Sequence, residues 1–134
     1  MAKIGLQLKG FEDLMSDLDK LGGDLNQVTA EALEKSHAYV TPNIHQAMKK
    51  HHRTGRTEKS IEDSGKVTWT GNVASVDIGF DIANGGLASV FLMYGTPKMK
   101  KDTKLYNSIY GSATKKKLAE IQEEIILGAI DKRL

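Results

Sequence analysis

The stretch from Lys66 to Phe80 constrains this chain more than any other. Two alternating runs, Lys66-Val-Thr-Trp-Thr and Val73-Ala-Ser-Val-Asp-Ile-Gly-Phe80, flank the pair Gly71-Asn72. A Gly-Asn pair in that place spells a two-residue hairpin, with glycine at the first central position of a primed turn. The turn sets the register: Thr70 faces Val73, Trp69 faces Ala74, Thr68 faces Ser75, Val67 faces Val76 and Lys66 faces Asp77. One face then collects Trp69, Val67, Ala74, Val76, Ile78 and Phe80, and is expected to be buried. The other holds the threonines, Ser75 and the Lys66–Asp77 pair. A slip of one residue would turn every apolar side chain to water, so the pairing is strongly specified.

Elements on either side must cover that wall. Ile4, Leu6 and Leu8 alternate with Lys3, Gln7 and Lys9, which predicts a half-buried N-terminal strand that joins the sheet. Gly10 ends it. Phe11, Leu14, Met15, Leu18 and Leu21 then recur at helical spacing until Gly22-Gly23. The outward face of this helix is acidic: Glu12, Asp13, Asp17, Asp19 and Asp24 stand against Lys20 alone. Asp24 is a good N-cap for a second helix, in which Leu25, Val28, Ala32, Ser36, Tyr39 or Val40, Ile44, Ala47 and Met48 form one stripe. Pro42 interrupts the hydrogen bonding there, but the stripe keeps its phase beyond it, which predicts a long kinked helix rather than two.

The long helix runs out into Lys49-Lys-His-His-Arg-Thr-Gly-Arg56, a basic loop with no acid. Thr57–Ile61 reads as a short helical turn leading to the hairpin. Beyond the hairpin, 81–86 is a polar, glycine-bearing connection. Leu87–Tyr94 is almost wholly apolar, and Gly95 with Pro97 just after it favours a helix over a strand. Lys98–Lys104 is a second basic loop. The chain closes with helices over 105–110 and, after Gly111 and a Ser112 cap, over a longer stretch with Leu118, Ile121, Ile125, Ile126, Ala129 and Ile130 inward. At 134 residues this is a single α+β domain over 1–134. A small antiparallel sheet, the N-terminal strand plus the hairpin 65–80, packs against the long kinked helix and a C-terminal helix. Long flexible loops join the elements, and 81–86 and 95–104 are expected to be mobile because they carry little apolar area to offset the entropy of ordering.

Chemistry-bearing patterns are scarce. Zero cysteines exclude thiol catalysis and cysteine-rich zinc sites. His37, His45, His51 and His52 lack the spacing of a metalloprotease helix and read as solvated histidines. No glycine-rich phosphate loop, nucleophile elbow or paired carboxylate is present, so neither an enzyme nor a cofactor is expected. No apolar run has the roughly 18 residues of a membrane span, and the N-terminus opens into a strand pattern rather than a signal peptide, which points to the cytoplasm or a particle assembled there. The net charge of +2 is too small to announce nucleic acid. Its distribution leaves three readings of the basic segments: a solvated face, a nucleic-acid-binding module using loops 49–56 and 98–104, or a contact between identical subunits in which the basic loops meet the acidic helix.

Thr54-Gly55, then Ser60-Ile61, the hairpin, and Val90-Phe-Leu-Met-Tyr-Gly95-Thr96-Pro-Lys-Met99 resemble stretches of the tail-completion (minor tail, tail-to-head joining) proteins of long-tailed bacteriophages. In length the chain resembles those of Bacillus-infecting siphophages. Thr57 stands where that family usually has leucine, and 101–105 lacks its Pro-Phe pair. The resemblance implies a structural protein that is a monomer in solution and forms a ring, usually sixfold, capping the completed tail. Its partners are then itself, the tail tube protein and the head connector protein, with no membrane, and DNA passes through the ring without being specifically bound. Its place is the head–tail joint of the virion, after assembly in the host cytoplasm. Carried over, Thr54, Gly55, Ser60 and Ile61 belong to a first loop, and Tyr94, Gly95, Thr96 and Met99 to a second. The candidate interface residues are Lys49, Arg53, Gly55 and Arg56 from the first basic segment, and Tyr94, Gly95, Thr96, Lys98, Lys100 and Lys101 from the second. Gly55 and Gly95 are expected to meet backbone needs, a turn and a helix stop. Tyr94 is as readily a core residue as a contact.

Overall fold

Alternation and turn chemistry place three strands side by side in the computed structural model, which describes residues 3–6, 8, 10–51, 55–71 and 73–134, with residues 3–5 as backbone only. Strand β1 (Lys3–Leu6) and strand β2 (Thr68–Thr70) flank β3 (Val73–Gly79), in the order β1-β3-β2 and antiparallel throughout. The hairpin register is the expected one over Thr70↔Val73, Trp69↔Ala74 and Thr68↔Ser75. Gly71 supplies the positive φ, at 62°. Asn72, Gln7 and Lys9 lie outside the described residues.

The burial expected of the hairpin holds for β3 and fails for β2. Ala74, Val76, Ile78 and Phe80 are buried, but Trp69 is 42% exposed. Strand β2 ends at Thr68, so Val67 and Lys66 do not extend the ladder to Val76 and Asp77. The cause is coverage: the helix that lies on the sheet packs against β3, with Leu33 meeting Ala74 and Val76, and leaves the short edge strand without a lid.

That helix is α2 (Leu25–Met48), unbroken through Pro42 and capped by Asp24, whose side chain accepts from Gln27 N–H at 3.1 Å. Ile44 and Met48, beyond the proline, are as buried as Val28 before it. The stripe is broader than the apolar pattern, because His37 and Thr41 are buried too. His37 is a correction to the solvated reading. Its Nε2 lies 2.8 Å from the Glu62 carbonyl, so the ring is held by backbone between the helix and the approach to the hairpin.

Around α2 sit α1 (Glu12–Lys20), α3 (Arg56–Lys59), α4 (Leu87–Tyr94), α5 (Thr103–Tyr110) and α6 (Ser112–Asp131). The apolar segment 87–94 is thus helical. Ser112 opens α6 without a side-chain capping bond, and Gly111 occupies the cap position. Asp102, which the sequence reading left in a loop, caps α5. None of the helices among the described residues is long and apolar enough to cross a membrane.

Besides the cluster of Leu33 with Ala74 and Val76, two clusters of core lie along α2. Val40, Ile44, Ala47 and Met48 pack with Ile78, Phe80, Met93, Leu105, Ile109 and Leu118 toward its C-terminal end. Leu18, Val28 and Ile126 close the other end, with Leu8, Leu14 and Met15 against them. Between these clusters Gln122, buried on α6, donates to Ser36 Oγ at 3.0 Å, which donates in turn to the Ala32 carbonyl. The polar pair is therefore satisfied, as burial demands.

Candidate interaction surface

The two basic segments, far apart in sequence, meet at the C-terminal end of α2. Their joint is Asp102. Its carboxylate, with 6% of the side chain exposed, accepts from Leu105 N–H at 3.0 Å and pairs with Lys50 Nζ at 3.3 Å. His51 Nε2 sits on the same oxygen as Lys50, and because a carboxylate only accepts, that nitrogen donates. Burial pushes the Asp102 carboxyl up, but the hydrogen bonds from His51, Leu105 N–H and Lys50 overcome it and hold the group at about 2, below the usual 3.8. The backbone makes a second tie, from Asp102 N–H to the Leu92 carbonyl at 2.7 Å.

Between Gly95 and Asp102 the chain is folded tightly on itself. Thr96 N–H donates to Met99 O at 2.8 Å, Met99 N–H returns to Thr96 O at 3.1 Å, and Lys98 N–H reaches Thr96 Oγ1 at 3.2 Å. Gly95, with φ 76° and ψ 176°, both stops α4 and lets the turn close. A Cβ there would stand 2.9 Å from Lys101 N and 3.0 Å from Met99 O. The connection 81–86 is likewise held, by a long-range bond from Asp81 N–H to Ser60 O and by local ones, Gly86 N–H to Asp81 O and a 3-10 turn over Ile82–Asn84. Both segments read as mobile are therefore hydrogen-bonded, mostly through backbone groups whose pairing no side-chain pattern announces.

The closed turn drives its lysines outward. Lys98, Lys100, Lys101 and Lys104 are exposed, as are Lys49 and Lys50 beside them. Lys101 Nζ lies 4.2 Å over the Tyr106 ring, which stacks edge-on with Tyr94 at 6.0 Å and tilted with Tyr110 at 5.2 Å. Burial, then a hydrogen bond with Tyr94, pushes the Tyr110 hydroxyl up to about 12. Tyr94 belongs to neither alternative completely: it leans on Tyr106 and remains 46% exposed.

Beside these lysines opens an apolar groove of about 600 Å³, lined among others by Met48, Gly55, Arg56, Ala88, Phe91 and Met99. It brings the first loop of the sequence reading against the second. Gly55, buried and at φ 79°, turns the chain into α3, and Arg56 follows, exposed, with its methylenes against Gly85. Arg53 and Thr54, also named from sequence, lie outside the described residues, as does His52. What sequence reasoning missed is the outer face of α4. Leu87, Phe91 and Tyr94 fall on one side of that helix and are 58%, 48% and 46% exposed, with Met99 at 40% next to them. The signal was present, since an eight-residue helix that is apolar all round must either be buried on both sides or face a partner. Only Ser89 and Met93 turn fully inward.

The opposite end of the molecule has the opposite charge. Helix α1 leans on α6 and the start of α2, and Glu12, Asp13, Asp17 and Asp19 are all exposed on it. The 24 residues of α2 separate the ends by about 36 Å. Among the described residues, no group of three or more His, Cys, Asp or Glu is placed to hold a metal ion.

Fold and surface together define a small α+β protein with an exposed apolar stripe on α4 that lies beside two basic segments. Comparison of the chain with family models, curated proteins and solved structures finds no match.

Proposed function

We propose that this chain is a non-catalytic structural subunit of a long-tailed bacteriophage, a tail-completion protein that assembles as a ring on the finished tail and joins it to the DNA-filled head. The observation that carries the reading is the uncovered α4 stripe, set beside two basic segments that Asp102 ties together and about 36 Å from an acidic helix. A monomer with unlike ends, one apolar and basic, the other acidic, is suited to heterologous contact, which closes into a ring when the rotation permits. The resemblance of 54–61 and 90–99 to tail-completion proteins supplies the assembly. Partners on this reading are further copies, the tail tube protein and the head connector, with DNA passing through the ring. The protein acts in the virion after assembly in the host cytoplasm.

The test is reversal of Lys98, Lys100 and Lys101 to Glu. These lysines are exposed, and the contact of Lys101 with the Tyr106 ring is at the surface end of that side chain, so the variant should fold while finished heads and finished tails accumulate unjoined. Normal joining would overturn the assignment of this surface. Steep, salt-sensitive binding of duplex DNA by the wild-type monomer, lost in the same variant, would instead favour a nucleic-acid-binding module.

A further inference from the structure

The outward stripe of α6 is the reverse image of the α4 groove. Glu120, Glu123, Glu124, Leu127 and Asp131 fall at i, i+3, i+4, i+7 and i+11, on the side of α6 opposite buried Leu118, Gln122 and Ile126. All five are exposed, Leu127 by 40%. No ion pair engages these carboxylates among the described residues. An apolar residue among acids thus stands on one part of the surface, and on another an apolar groove lined by Arg56 and Glu58, whose lining residues Met48 and Met99 are flanked in sequence by exposed Lys49, Lys98 and Lys100. Lys116, which heads the stripe, lies a turn before Glu120 and outside the acidic half.

We propose that the groove floored by Leu87, Phe91 and Met99 is a socket for the α6 stripe of a second copy of this chain, with Leu127 seated in it and the carboxylates against Lys49, Lys98 and Lys100. The inference rests on the joining-ring reading and names the contact that builds the ring. Charge complementarity selects the occupant: the stripe is acidic where the lysines flanking the groove are basic, and each carries one apolar centre. Like copies cannot pair groove to groove, because that would set lysine against lysine. Socket and stripe lie at different places on the fold, so in a ring each copy turns its socket to one neighbour and its stripe to the next. The socket adjoins Met48 at the C-terminal end of α2, whereas Leu127 follows Ile126, which packs with Leu18 and Val28 at the other end. Each bound copy therefore leaves a socket free on one side and a stripe on the other until a ring closes.

Absence of cysteine makes disulfide trapping clean. Ala88→Cys labels the socket and Glu123→Cys labels the stripe, both at exposed positions. Mixed at high protein concentration and low salt under mild oxidation, the two variants should yield the 88–123 dimer in preference to either homodimer. Adding Leu127→Glu to the stripe variant should cut that yield about tenfold without changing its melting temperature. Molar salt should also suppress it. Equal yields of all three dimers, or a yield indifferent to Leu127, would overturn the socket. Sedimentation of the untrapped wild-type protein separates the two levels of the argument. Oligomers that form while 88–123 trapping fails overturn this contact and leave the ring standing. Trapped pairs that never close support the contact and remove the ring. No association of any kind removes both.

Discussion

Replacing Asp102 asks whether one carboxylate holds the basic surface together. Its side chain is 6% exposed and accepts from Leu105 N–H, Lys50 and His51. Loss of an aspartate N-cap costs roughly 1 kcal/mol. The charged hydrogen bond to His51 adds about 1.5 kcal/mol. Lys50, whose side chain is 61% exposed, contributes only a few tenths of a kcal/mol. Asp102→Ala should therefore lower the unfolding free energy by about 3 kcal/mol. Asparagine caps as well as aspartate, so Asp102→Asn should cost about half of that, nearly all of it through the lost charge. The sign with pH follows from a folded value of about 2 against an ordinary 3.8. The stabilisation is complete above the unfolded value and fades as pH falls from about 3.8 toward 2. Urea unfolding of the wild type and both variants at neutral pH and at steps through that window measures it. The gap between the wild type and Asp102→Asn should close in acid while the extra cost of alanine persists. A gap that is missing at neutral pH, or unchanged in acid, would refute the claim that the charge ties the segments.

Trp69→Ala should cost about 1 to 2 kcal/mol, because the residue is already 42% exposed, whereas Phe80→Ala, fully buried, should cost about 3 to 5 kcal/mol; urea midpoints decide between them. Gly95→Ala should destabilise by roughly 1 to 3 kcal/mol through its backbone conformation alone, and more through the approach of Lys101 N and Met99 O. Thermal melting measures this loss, and tyrosine fluorescence should change with it as Tyr94 shifts against Tyr106. Gln122→Ala should cost about 1 kcal/mol or more, since it strips a buried partner from Ser36. Gln122→Ala combined with Ser36→Ala should cost less than the sum of the single changes, as a double-mutant cycle would record.

Features that depend on a few consecutive residues were legible in the chain itself. Gly71 with the alternation around it sets the hairpin register. Asp24 sets the start of α2, and the phase of its stripe carries that helix through Pro42. Gly95 ends α4. Each of these is decided by backbone geometry and hydrogen bonding within a turn or two, where side-chain identity speaks directly. Tertiary structure alone decided which surfaces found a cover. Trp69 has the right alternation and the right partner yet stays wet, because α2 lies over β3 and stops short of β2. His37 is dry because the Glu62 carbonyl, 25 residues on, comes to meet it. Asp102 joins His51 across 51 residues, and Gln122 reaches Ser36 across 86. The outer face of α4 stays exposed at Leu87 and Phe91, since among the described residues α5 reaches that face at Tyr94, through Tyr106. Periodicity says which side of an element is apolar. Whether that side is buried depends on where distant elements end, and that is settled only when the whole chain competes for the same core.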